Sequence, residues 1–263
     1  MKAPRTLVVG FALLAVLVVL GVAAPLLAPE DPLRQIPGAN LLPPGGGHPL
    51  GTDDLNRDVL SRVLYGIRTS LFVTFSAVLI AAVVGVGLGV ASTTHRVVDT
   101  TLARVSDVVL AFPALILAIL LTALRGPGIV TVVLAIAVAE APVFLRLTRA
   151  EILRLRGTAY AEAARVAGAS PRTVLTKHVL PNALEPLAVQ VALALSLGVF
   201  VESALSFVGV GVRPPTPSLG SVLAGAVNNW DANAAYAWGP LVAIVALSLA
   251  LLLIARGFAG ARR

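Results

Sequence analysis

Cysteine is absent from this chain of 263 residues. That excludes disulfides, thiolate catalysis and cysteine-ligated metal sites. Histidine is scarce: His48, His95 and His178 lie far apart without ligand spacing, so no metal site is expected. Charge is scarce as well. Asp, Glu, Lys and Arg make up 13% of positions, against about 25% in an ordinary soluble domain. The two lysines, Lys2 and Lys177, do not follow a glycine-rich turn. A nucleotide-binding P-loop needs a lysine in that place, so this chain has no P-loop of that kind, and no cofactor is assigned to it. No catalytic residue is assigned either. The apolar runs hold no histidine pair and no Ser–His or paired-Asp arrangement, which argues against an intramembrane enzyme.

Apolar residues are what the chain has: 57% of it, with a mean hydropathy of +0.93. A core of this size cannot bury them all, so part must face lipid. A bilayer core about 30 Å thick is crossed by roughly 20 residues of helix. Six stretches approach that length: 6–28, 69–92, 108–124, 128–147, 187–207 and 238–256. The expected fold is therefore all-α and polytopic, with six transmembrane helices. Lys2 and Arg5 before the first run also fit a secretory signal. The run is long for one, and its removal would leave five spans, so it is read as a retained span.

The net charge of +7 suggests nucleic acid only if its placement is ignored. With the N-terminus inside, fourteen Lys and Arg fall on the cytoplasmic side and six outside. The positive-inside rule then puts both termini and the 149–185 loop in the cytoplasm. Residues 1–50 read as an anchor span followed by an external Pro/Gly-rich segment. Residues 51–263 read as the main transmembrane domain.

Residues 51–66, GTDDLNRDVLSRVLYG, suggest an amphipathic external helix lying at the interface. Thr52 would be its N-cap, Asp53 and Asp54 would occupy its first turn, and Leu55, Val59, Val63 and Leu64 would share one face. Trp230, Tyr236 and Trp238 look like interfacial aromatics. Gly85, Gly87 and Gly89 suggest close helix packing. Glu140 and Glu202 interrupt apolar spans. Such carboxylates cost roughly 2.5–3.5 kcal/mol near mid-bilayer and usually face protein or a water-filled path. Both are candidates for lining a pathway.

The loop sequence YAEAARVAGASPRTVLTKHVLPNAL (160–184) is polar within an apolar protein. Residues 159–167 are largely good helix formers, and Ala161, Ala163, Ala164 and Ala167 leave room for another backbone. Gly168 allows a change of direction. Ser170 and Pro171 fit the N-cap and N1 positions of a second short helix, which Pro181 ends or kinks. Glu162 either pairs with Arg165 one turn on or contacts a partner.

Glu162-Ala163-Ala164, then Gly168, Ala169, Ser170 and Pro171, then Leu180-Pro181, resemble the EAA loop of permease subunits in bacterial ABC importers. GTDDLNRDVLSRVLYGIRTSL (51–71), DVVLAFPAL (107–115) and ESALSFVGVGVRPPTPSLGSVLA (202–224) are similar to the dipeptide/oligopeptide/nickel branch, in the shorter of its two permeases. Asn56 stands where glycine is common, and His178 where many members carry an aliphatic residue. The resemblance implies that those loop residues form a coupling helix seated on an ATP-hydrolysing subunit. It also implies a second homologous permease, two ATP-binding subunits that carry ATP and Mg, and an external substrate-binding protein. The chain would sit in the bacterial cytoplasmic membrane and import di- or oligopeptides or a related small solute, nickel included. The alternative is a stand-alone secondary transporter or channel coupled through Glu140 and Glu202, which the lack of an inverted repeat fits poorly.

Overall fold

The computed structural model describes residues 5–260, so Lys2, Arg262 and Arg263 of the charge count lie outside the described residues. Among those residues the architecture is helical, without β-strands. Five helices are long and apolar enough to cross a bilayer, and a bent helix pair makes a sixth candidate. In chain order they begin with α1 (Arg5–Val22), the short α2 (Ala24–Leu27) and α3 (Val59–Ser92). Then come α4 (Arg96–Ala111), α5 (Ala114–Arg125), α6 (Ile129–Arg156) and α7 (Ala159–Val166). The series ends with α8 (Pro171–Thr173), a π-helical turn (Val174–Val179), α9 (Leu180–Phe207), α10 (Leu219–Asn228) and α11 (Ala235–Gly260).

The interfacial helix expected over 51–66 does not form. Asn56 has φ +61°, a left-handed conformation that ends any right-handed helix begun upstream. Thr52 caps nothing: its hydroxyl donates to the Ala39 carbonyl and accepts from the Leu42 amide. The Asp53 carboxylate instead gathers the amides of Leu55 and Arg57 and the Arg57 guanidinium, at 2.7–2.9 Å, with Arg62 at 3.4 Å. The helix begins only at Val59, where Asp58 is the N-cap and accepts from the Ser61 amide at 2.7 Å. It then continues for 34 residues as α3, about 51 Å at 1.5 Å per residue. That exceeds the hydrocarbon thickness, so the start of α3 stands clear of the membrane under the loop that caps it. Tyr236 packs into this assembly at 1% exposure and is no interfacial aromatic, unlike the exposed Trp230 and Trp238. A short helix is present elsewhere, α10, capped by Ser218.

Helices α3 and α6 form the central pair. A Cβ on Gly85 would lie 2.5 Å from the Ala141 carbonyl oxygen, and one on Gly89 2.6 Å from Thr148 Cβ. Those two glycines, one turn apart, permit the close approach of the backbones. A side chain on Gly87 would meet open space. The third run is not a single straight span. Helices α4 and α5 meet at 91°, because Phe112 is extended and Pro113 cannot donate to a continuing helix.

Contacts assign the helix ends to two sides. Leu7 of α1 packs on Gly257 of α11, and Gly21 near the other end of α1 packs on Ile67 and Arg68 of α3. Val90, near the end of α3, packs with Ile152, Ala161 and Val179. The starts and ends of the described chain therefore share one side of the bundle with the α6–α9 connection. The 28–58 loop and α10 lie on the other.

Candidate functional site

The polar loop is anchored on one face and open on the other. Ala161, Val174, Val179 and Ala183 are buried with Ile152 and Leu155 of α6, and Ala164, Ala169 and Leu180 pack at the edge. Glu162, Ala163, Val166, Ala167 and Gly168 are exposed, Val166 at 85%. An exposed valine beside small alanines is an apolar strip that water does not favour. Glu162 forms no ion pair among the described residues. Arg165, one turn on, donates instead to the backbone carbonyls of Arg156 and Ala161.

Gly168 has φ +87° and nothing within 4 Å of where its Cβ would stand. Glycine is required there by conformation, not by crowding within this chain. Ser170 is extended and its hydroxyl accepts from the Thr173 amide at 3.2 Å, with Pro171 at N1. The sequence placed this cap correctly.

The second part of the loop is not a separate short helix, and Pro181 does not end it. Residues Pro171–Phe207 run on for 37 residues as the fifth span. The Val174–Val179 segment takes the wider π turn, with the Leu180 amide donating to Leu175. That turn absorbs the donor missing at Pro181, which is exposed at the start of α9. The loop is thus held between two long helices, α6 and α9.

The two intramembrane carboxylates differ. Glu202 is wholly buried. It accepts from Ser70 of α3 at 2.6 Å and Ser206 at 3.0 Å, with Ser203 at 3.4 Å. Glu140 is half-buried on α6, two residues before Pro142. No side chain of the described residues hydrogen-bonds its carboxylate. Sequence reading missed the tie between Arg156 and Thr93, which joins α6 to the end of α3 across 63 residues and leaves no local signature.

A bundle of helices long and apolar enough to cross a bilayer, with a polar helical loop continuous with one of them, defines a multi-pass membrane protein. The chain belongs to the family of binding-protein-dependent transport system inner membrane components, which residues 83–261 match. Residues 2–44 match the N-terminal transmembrane domain of oligopeptide transport permease C. A dipeptide transport system permease protein of Haemophilus influenzae is 37% identical over 263 residues, covering 97% of this chain and 89% of that protein. A di/tripeptide transport system permease protein of Pseudomonas aeruginosa is 39% identical over 224 residues, covering 82% and 74%. The inward-facing MetNI methionine ABC transporter shares the fold, with a TM-score of 0.58 at 23% identity over 76% of this chain and 93% of that one. The peptide-transport branch of ABC importer permeases is the one to which the sequence motifs pointed.

Proposed function

We propose that this chain is one of two permease subunits of an ATP-driven importer for di- or oligopeptides or a related small solute, nickel included. Its place is the bacterial cytoplasmic membrane, with both termini and the 149–185 loop in the cytoplasm. The loop residues Glu162, Ala163, Ala164, Gly168, Ala169, Ser170, Pro171, Leu180 and Pro181 transmit the motion of partner ATPases. Two such subunits hold ATP and Mg, a homologous permease supplies the other half of the pathway, and an external binding protein delivers the solute.

One observation carries this reading: the exposed apolar strip of α7 is joined, through a single glycine turn, to a helix of 37 residues. A partner that covers the strip and moves it moves the fifth span directly. Rigid helices then exchange inward-facing for outward-facing access. Glu140, a carboxylate without a side-chain partner among the described residues, is the pathway residue in this scheme. Glu202 ties α3 to α9.

The test exploits the lack of cysteine. Ala163→Cys is made in the assembled transporter and treated with a short bifunctional maleimide against cysteines introduced in the ATPase. Cross-links that change in yield with ATP are expected. Absence of cross-linking at Ala163 and Val166 alike, in an assembly that imports normally, would sink the docking reading.

A further inference from the structure

A cavity of about 430 Å³ lies where the loop meets the bundle. Thr93 and Thr94 line it from beyond α3, Arg156 from the last turn of α6, Arg165 from α7, and Arg172 from α8. Two of the three guanidinium groups are fixed in place by neutral oxygens. Arg156 donates to the Thr93 carbonyl and hydroxyl oxygens, both at 3.1 Å. Arg165 donates to the Arg156 carbonyl at 2.5 Å and the Ala161 carbonyl at 3.3 Å. Such acceptors orient a guanidinium without neutralising it. Each group has five N–H donors, so most remain available.

Arg172 is exposed and its side chain forms no hydrogen bond or ion pair among the described residues. The acids on adjoining helices are engaged elsewhere. Asp99 holds Arg149, Asp107 holds Arg146 and Glu151 holds Arg154. Glu162 is exposed on α7 and does not line the cavity. Three positive charges therefore share one concavity with no described counter-ion.

We infer that this three-arginine cavity binds a phosphate-bearing anion, which ties the loop to the bundle. A phosphate monoester carries about −1.5 to −2 charge and three strong acceptor oxygens at neutral pH. Arginine matches it with paired N–H bonds. One carboxylate would leave two of the charges uncompensated. Arg165 precedes the Gly168 turn and Arg172 follows it, while Arg156 belongs to the bundle. An anion held by all three braces the turn across both of its arms. The site stands on this geometry alone, and only its consequence for coupling rests on the proposed docking of an ATPase.

Two sources supply this chemistry: free phosphate and the phosphomonoester headgroup of phosphatidic acid. The test is amide hydrogen exchange over residues 159–175 in the purified permease assembly, with and without its ATPase subunits. One arm compares inorganic phosphate with chloride at equal ionic strength in detergent. The other compares nanodiscs of phosphatidylcholine with and without phosphatidic acid. A ligand at about ten times its dissociation constant slows opening-limited exchange about tenfold, and that slowing is expected in at least one arm without the ATPase. Phosphate protection identifies the free anion as a source, and protection by phosphatidic acid alone identifies the lipid. Arg165→Gln and Arg172→Gln are each expected to abolish it. If Arg165→Gln unravels the loop, Arg172→Gln decides the question, because the Arg172 side chain holds nothing among the described residues. Equal exchange in chloride and phosphate together with no lipid effect overturns the inference. So does protection that arises only when the ATPase binds, since the counter-ion is then a side chain of that subunit. The cross-linking from Ala163 reports on docking separately.

Discussion

The Ser70 hydroxyl donates to the Glu202 carboxylate at 2.6 Å and joins α3 to α9 across 132 residues of chain. Ser206 donates to the other carboxylate oxygen and itself accepts from the Val212 amide, so the contact also fixes the turn after α9. Glu202→Gln keeps the shape and one acceptor, and is expected to cost about 1 kcal/mol. Glu202→Leu strands three buried hydroxyls, those of Ser70, Ser203 and Ser206, and is expected to cost about 2–4 kcal/mol. Denaturant melts of the purified assembly measure both. Uptake by Glu202→Gln is expected to remain; its loss at unchanged stability would assign the carboxylate to the pathway instead.

Apolar run length was enough to find five spans, because each helix must bridge the same hydrocarbon thickness, but it was blind to the 91° bend in the third run. What escaped the sequence depended on single backbone conformations or distant contacts. The face shared by Leu55, Val59 and Val63 suggested a helix from Thr52, but periodicity is blind to the left-handed Asn56. Tyr236 lies at a span end like an interfacial aromatic, and its burial comes from other elements: it shares a core cluster with Val59 and Val63 of α3, and its hydroxyl lies against Gly225 of α10. Pro181 is ordinarily a helix breaker, and the π turn that accommodates it has no residue signature. The cap at Ser170 and the turn at Gly168 were legible because their causes are local.

Asn56 offers a direct test of the first of these. Its φ of +61° suits glycine, which pays no Cβ penalty there, and its buried Oδ1 has no hydrogen-bond partner among the described residues. Asn56→Gly is expected to alter stability by less than about 1 kcal/mol. Asn56→Val is expected to lose about 1–2 kcal/mol. Thermal melts should rank glycine and asparagine together, above valine.

Gly168 separates backbone strain from partner contact. Its surroundings leave room for a side chain within this chain, and asparagine tolerates the left-handed conformation. Gly168→Asn is therefore expected to insert and fold within about 1 kcal/mol of the wild type. It is also expected to uncouple transport from ATP hydrolysis, because the added side chain projects from the docking surface. Gly168→Asp should behave likewise. Normal uptake by both variants would show that only the turn, and no close partner, demands glycine.

The proposed sidedness rests on charge placement and is open to labelling. Leu33 and Val166 are both exposed and lie on opposite sides of the bundle. In intact cells stripped of an outer barrier, a membrane-impermeant maleimide is expected to label Leu33→Cys. Val166→Cys should react only after permeabilisation. The reverse pattern would invert the topology and remove the loop from any cytoplasmic ATPase.

If the unbroken helix from Pro171 to Phe207 is the lever, softening it near the loop should separate docking from work. Thr176 and Lys177 are exposed within the π turn, so their replacement disturbs little packing. The pair Thr176→Gly and Lys177→Gly is expected to cost up to about 2 kcal/mol in helix propensity. The strip on α7 is untouched, so the ATPase subunits should still co-purify and hydrolyse ATP. Solute carried per ATP should fall, because a flexible joint dissipates displacement that a stiff helix passes on. Replacing the same two residues by alanine restores stiffness without restoring either side chain, and should recover the yield. Recovery with alanine but not glycine assigns the effect to rigidity. Unchanged yield with glycine would mean that force enters the bundle by another route, with the α6 end of the loop the next place to probe.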